Sequence, residues 1–160
     1  MNYFDLFNLA HDFVLDKEDL QNRYRILIER FHPDRAAALS SFEQKEAMMA
    51  TAALNDAYRM LADDLNRAAY LLKEQGIDAD SPAHTHFSAE FLMQQMQWRE
   101  ALEENNFSGC LKDEIEREYE KIINQLRENF AAKNFQAALD ALLRGRFIAK
   151  LLSEIRESGK

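Results

Sequence analysis

The chain has 160 residues, 20 Lys and Arg against 28 Asp and Glu, and a formal net charge of −8. With 47% hydrophobic and 30% charged residues it is too apolar for a disordered chain and long enough for one medium domain or two small ones. The acidic balance argues against nonspecific nucleic-acid binding, and no apolar run approaches the roughly 20 residues of a membrane span. In chain order, the first residues carry neither a basic leader region nor an Arg-rich transit pattern, so an unprocessed soluble protein is expected. Tyr3, Phe4, Leu6 and Phe7 form a short apolar cluster, enough for a turn or two of helix. Asp16 is placed to cap the next helix, in which Leu20, Tyr24, Leu27, Ile28 and Phe31 share one face. Pro33 disfavours helical geometry in the residue before it, so this helix should stop at Phe31–His32. A third helix opens near Ser41, with an inner face predicted to use Phe42, Met49, Leu54, Ala57, Tyr58 and Leu61. A fourth, short helix follows from about Asn66, with Ala69, Leu72 and Tyr70 inward, and Gly76 as its C-cap.

The segment from Gly76 to Ser88 is the only one without a helical pattern, and it holds one of the two prolines. A domain boundary belongs there. Three longer patterns follow. The first runs from about Ser88 to Glu104. The second carries Leu111, Ile115, Tyr119, Ile122, Leu126 and Phe130 with charges in the gaps, a clear amphipathic stripe. The third carries Phe135, Leu139, Leu142, Leu143, Leu151, Leu152 and Ile155. The expected fold is therefore all-α: residues 1–75, a linker at 76–87, and an antiparallel three-helix bundle at 88–160.

His32-Pro33-Asp34 is the most informative local feature. The proline pins an exposed turn between two helices. Asp34 offers a carboxylate to a partner cation, and His32 a ring that donates, accepts or stacks. Arg23, Arg25 and Arg30 lie on the polar face of the preceding helix, interrupted only by Glu29, and Arg35 follows the turn. A basic strip on an acidic protein points to an acidic partner surface. Tyr3-Phe4-x-Leu6-Phe7, Tyr24, Leu27, Arg30-Phe31, the His-Pro-Asp turn and Ala53-x-x-Asp56-Ala57-Tyr58-x-x-Leu61 together resemble the J-domain of DnaJ-type co-chaperones. The resemblance covers about residues 1–75. It implies binding to a DnaK-type chaperone ATPase and stimulation of its hydrolysis. His32, Pro33 and Asp34 would be the indispensable loop, with Tyr24, Arg23, Arg25, Arg30 and Arg35 around it. Ile26 stands where J-domains often have a basic residue, so the Lys/Arg pattern is only partly kept.

The second half lacks the Gly/Phe-rich linker, cysteine repeat and β-rich client domain of a general DnaJ. Arg67-Ala-x-Tyr70-Leu-Leu, then Phe91-Leu92-Met93-x-Gln95-Met96-x-x-Arg99-Glu100-x-Leu102-x-Glu104, resemble the HscB family of iron–sulfur co-chaperones over essentially the full length. That resemblance implies an L-shaped, bacterial cytoplasmic protein without a cofactor of its own. Its J-domain would bind an HscA-type ATPase, and its bundle an IscU-type iron–sulfur scaffold.

The helix from Ser88 to Glu104 has more apolar residues than one core stripe needs. Phe91, Trp98 and Leu102 form one row, and Leu92, Met93 and Met96 form an adjacent one that continues into Glu100 and Glu104. Flexible, polarizable methionines suit a docking surface, and they suit a core equally. On the residues alone both readings stand. The HscB resemblance implies an interface made of Leu92, Met93, Met96, Gln97, Glu100, Glu104 and Phe147. Gln97 stands where the family commonly has an acid and Met96 where it has leucine, so the apolar volume is kept and one charge is lost.

Other chemistry is less well supported. His84 and His86 share a loop without a carboxylate at ligand spacing, and His11 and His32 are far off, so surface polarity explains them better than a metal carrier does. Cys110 is the single cysteine, which excludes an intramolecular disulfide and cannot by itself hold a cluster. A hydrolase dyad of His32 and Asp34 would lack a nearby Ser or Cys nucleophile and a glycine-rich oxyanion turn. No P-loop or dinucleotide fingerprint is present. The expected protein is thus an adaptor that catalyses no reaction itself. The competing class is a general co-chaperone that delivers unfolded clients.

Overall fold

The computed structural model describes residues 2–36, 39–84, 87–104 and 109–158. His86 lies outside them. Helix is the only regular structure among the described residues. No described helix is long and apolar enough to cross a membrane. The chain divides into two compact units, Met1–Leu71 and Leu72–Lys160.

The first unit is organised around aromatic and aliphatic residues that the N-terminal cluster contributes. Helix α1 (Tyr3–Leu6) is capped by the Asn2 side chain, which accepts from the Phe4 amide at 2.8 Å. It delivers Phe4 and Phe7 into a cluster with Leu20, Leu54, Ala57 and Leu61, all fully buried or nearly so. Each such large apolar side chain stabilises the fold by about 1.5–3 kcal/mol relative to exposure. The Tyr3 amide donates to the Tyr70 hydroxyl at 2.9 Å and the two rings stack at 4.8 Å, tying α1 to the helix that carries Tyr70. Helix α2 (Lys17–Arg30) starts at Asp16, whose carboxylate accepts from the Glu18 and Asp19 amides at 3.0 and 3.2 Å. It stops at Phe31, and Pro33 then opens a further single turn, α3 (Pro33–Ala36), at the position where a missing N–H costs nothing.

Helix α4 (Ser41–Ala62) begins with a reciprocal cap. The Ser40 hydroxyl accepts from the Glu43 amide at 3.2 Å and donates to its carboxylate at 3.0 Å. Its buried face runs Ala47, Leu54, Ala57 and Leu61. Phe42 and Met49, expected on that face, are 70% and 65% exposed. At about 100° per residue Met49 stands roughly 200° round from Ala47, and Phe42 shares its direction, so the true core stripe excludes both. Helix α5 (Asp64–Glu74) starts earlier than expected, because the Asp63 carboxylate accepts from the Asn66 amide at 2.9 Å. Leu65, Arg67, Ala68 and Leu72 are buried, whereas Ala69 is only half-buried. The register turns on Arg67, which is drawn inward by the carbonyls of Phe13 and Leu61 and by Asp64, all at 2.7 Å.

The second unit opens on the end of α5. Gly76, at φ +79°, closes that helix: its amide donates to the Lys73 carbonyl and the Ile77 amide to the Leu72 carbonyl. Beyond it, the Arg146 guanidinium donates to Asp80 at 2.8 Å and fixes the segment leading to α6 (Ala89–Glu103). Helices α7 (Gly109–Ala131) and α8 (Phe135–Ser158) form an antiparallel hairpin. Lys133 takes a left-handed conformation, φ 58°, and Asn134 caps α8 through the Ala137 amide. Contacts between Phe130 and Phe135, and between Gln125 and Arg144, fix the antiparallel register. Ile115, Ile122 and Leu126 pack the α7 side of the core. Ala138, Ala141 and Gly145, buried at steps of three and four on α8, leave room for a close approach. Helix α6 pairs Phe91 with Phe147 and Arg99 with Glu154, so it runs parallel to α8 and completes the three-helix bundle.

Candidate functional site

Two surfaces carry the residues expected to act, one on each unit. In the first, the Asp34 amide donates to His32 Nδ1 at 3.2 Å and the Arg35 amide to the His32 carbonyl at 2.9 Å. The turn is therefore closed by its own backbone and ring. The Asp34 carboxylate, 3.5 Å from Nδ1, has 93% of its side chain exposed. It is available to a partner cation. Arg25, Arg30 and Arg35 are exposed beside Glu29, and Ile26 is also exposed among them.

Arg23 and Tyr24 are placed differently. The Arg23 guanidinium donates from Nε to Asp19 at 3.0 Å, and from Nη1 to the carbonyls of Phe7 and Asn8 at 3.1 and 3.3 Å. It braces the end of α1 against α2. Tyr24 stacks on Tyr58 at 4.3 Å and bonds the Asn55 side chain through its hydroxyl. Both signals are in the sequence: Asp19 and Arg23 stand four apart, and Tyr24 belongs to the apolar stripe of α2.

On the second unit, α6 buries Trp98 and Gln95 and turns Leu92, Met93 and Met96 outward, 44%, 61% and 63% exposed. That row is surface. Gln97 and Glu100 are exposed on the same helix, and Glu104 is exposed at its C-cap. Phe147 of α8 is half-buried, with its ring meeting Phe91 edge-on at 6.2 Å. A shallow groove is lined by Gln95, Met96, Arg99, Glu100, Glu103 and Phe147. The structure thus brings Met96, Glu100 and Phe147 together, and Leu92 and Met93 extend the apolar surface one turn toward the start of α6. Gln95 and Arg99 are among the residues that carry the resemblance to the HscB family but not among the expected interface residues, and Glu103 is among neither. Helical spacing from Met96 and Glu100 could have found Arg99 and Glu103, but the cross-helix partner of Arg99 has no sequence signal.

Comparison with known proteins follows the same division. Residues 2–70 match the DnaJ domain and residues 87–156 the HSCB C-terminal oligomerisation domain. A co-chaperone protein HscB homolog from Neisseria meningitidis is 47% identical over 159 aligned residues, 96% of each chain. One from Aeromonas salmonicida is 39% identical over 162, covering 97% of this chain and 94% of its own. Chaperone HscB from Vibrio cholerae superposes with a TM-score of 0.88 at 35% identity, covering 99% of this chain and 98% of that one. Human co-chaperone protein HscB gives 0.91 at 26% identity, covering 99% and 82%. With both domain matches in this order and curated relatives matched over nearly their whole length, the chain belongs to the HscB family of co-chaperones.

Proposed function

We propose that the protein joins an Hsp70-type ATPase of the HscA kind to an IscU-type iron–sulfur scaffold in a bacterial cytoplasm, and stimulates the ATPase while the scaffold is presented to it. The observation that carries the reading is the exposed row Leu92, Met93 and Met96 on a helix whose opposite side is already buried through Trp98. Apolar side chains at this exposure, rimmed by Glu100 and Glu104 and flanked by the Phe147 ring, have the composition of a protein interface with an apolar centre and a charged edge.

The two surfaces divide the work. Arg25, Arg30 and Arg35 steer the J-domain toward an acidic face of the ATPase, and the exposed Asp34 carboxylate meets a cation there. Stimulation requires that this contact be stronger in the hydrolysis-competent state than in the resting one, because a ligand shifts an equilibrium only by its differential affinity. His32 holds the Asp34 amide and so fixes the carboxylate's position before the partner arrives. Scaffold binding on the same chain makes the second encounter intramolecular and raises its effective concentration. The cluster travels as cargo on the scaffold.

Titration calorimetry of the full chain against purified scaffold tests this, with the triple variant Leu92→Ala, Met93→Ala, Met96→Ala alongside. Micromolar binding that is lost in a still-folded variant is expected. Absence of binding to both apo and cluster-loaded scaffold, with binding to a permanently unfolded polypeptide instead, would replace the reading with a general client-delivering co-chaperone.

A further inference from the structure

We propose that Arg99 is a positioning residue for the scaffold surface, holding the Phe147 ring in place as a wall of the groove between α6 and α8. The inference rests on the scaffold-binding reading and adds the device that shapes that site. The Arg99 guanidinium lies over the Phe147 ring, 5.5 Å from its centroid. The same guanidinium donates from Nη1 to Glu154 Oε2 at 2.6 Å, so it is anchored to α8 by a charged hydrogen bond. Phe91 meets the ring edge-on from α6, and Phe87 in turn packs against Phe91 at 5.2 Å. Phe147 is therefore held between an aromatic edge and a cation, while part of its surface still lines the groove with Met96 and Glu100.

This arrangement matters because a half-buried phenylalanine at a groove edge otherwise samples several rotamers. Binding would then have to order it. A ring already fixed gives up less conformational entropy when a partner arrives, which raises affinity without a new contact. A guanidinium suits this role, since its planar, weakly hydrated face stacks on a ring while its edge pairs with a carboxylate. Its Nη1 bond to Glu154 turns the group toward α8. The mode of action is therefore through Phe147 rather than by pairing with an acid of the partner.

A double-mutant cycle separates these possibilities, read as scaffold affinity with thermal melting of each variant measured alongside. Phe147→Ala should weaken binding. Arg99→Ala should weaken it about fivefold to tenfold with little change in melting, and should have no further effect when Phe147 is already alanine. Glu154→Ala should weaken binding in the same direction, because it releases the anchor. In the free protein, Arg99→Ala should also shift the aromatic NMR signals of Phe147. Equal losses from Arg99→Ala with and without Phe147, or tighter binding by Glu154→Ala, would overturn the proposal in favour of a direct contact between Arg99 and the partner. A fall in melting temperature that accounts for the whole loss would reduce Arg99 to a structural residue. If Phe147→Ala leaves affinity unchanged, the scaffold surface itself is misplaced, a failure distinct from the others.

Discussion

Arg67 and Phe13 are joined twice: the guanidinium Nε donates to the Phe13 carbonyl at 2.7 Å, and the guanidinium carbon lies 4.8 Å over the centre of the Phe13 ring. Only 3% of Arg67 is exposed, and its remaining donors reach the Leu61 carbonyl and Asp64. One side chain thus closes the loop before α2, the end of α4 and the start of α5. Truncation would take this donor from the Phe13 and Leu61 carbonyls, while Asp64 would keep only the Lys17 ammonium at 3.4 Å. Arg67→Ala is expected to destabilise the first unit by about 3–5 kcal/mol, the range for breaking a buried, hydrogen-bonded charge pair. Arg67→Lys should recover only part of this, because an ammonium cannot reproduce the planar fork. Chemical denaturation of the three proteins checks both statements.

The α4 register gives a second test and shows where sequence reasoning stops. The helices with strongly periodic stripes, α2, α7 and α8, were legible, as were the Asp16 cap of α2 and the Gly76 cap of α5, whereas the single turn α3 carries no such stripe. Phe42 and Met49 are apolar yet exposed, because apolar character alone does not set burial and small Ala47 occupies the inward position. Arg67 is the opposite case: a charged residue is inside because backbone carbonyls converge on it, and those carbonyls come from segments remote in sequence. Leu54→Ala should cost about 2–5 kcal/mol, as for other buried leucines. Met49→Ala should stay within about 0.5 kcal/mol. Equal losses would mean that α4 is rotated from the orientation described.

The arginines of α2 separate in the same way. Arg23 is occupied by Asp19 and by two carbonyls at the end of α1, whereas Arg30 is exposed. Arg23→Ala should lower stability by about 1–2 kcal/mol through the stranded carbonyl of Phe7. Arg30→Ala should leave the melting curve in place, slow association with the ATPase, and flatten the dependence of that rate on ionic strength. Stopped-flow association over a salt series, beside thermal melts, reads both. The sequence placed these two arginines on one docking face. Their difference arises because Arg23 sits about two turns back from Arg30, within reach of the end of α1, a tertiary neighbour that helical spacing alone does not reveal.

The loop itself gives the sharpest prediction for the proposed activity. Asp34 presents its carboxylate almost fully to solvent, and its contribution to the turn comes from the backbone amide that donates to His32. Asp34→Asn keeps that amide and nearly the same volume, and removes only the charge. Circular dichroism and melting should therefore be unchanged. A charged hydrogen bond made in the activated complex and absent from the resting one is worth about 1.5–3 kcal/mol, so stimulation of the ATPase should fall by roughly 10- to 150-fold. Scaffold affinity should remain at the level of the unmodified chain, because the residues proposed to bind it lie on α6 and α8. Single-turnover hydrolysis by the ATPase, with scaffold binding measured on the same preparation, distinguishes the cases. Retained stimulation would mean that the Asp34 charge is dispensable, and the exposed arginines Arg25, Arg30 and Arg35 would become the groups to examine for coupling to hydrolysis.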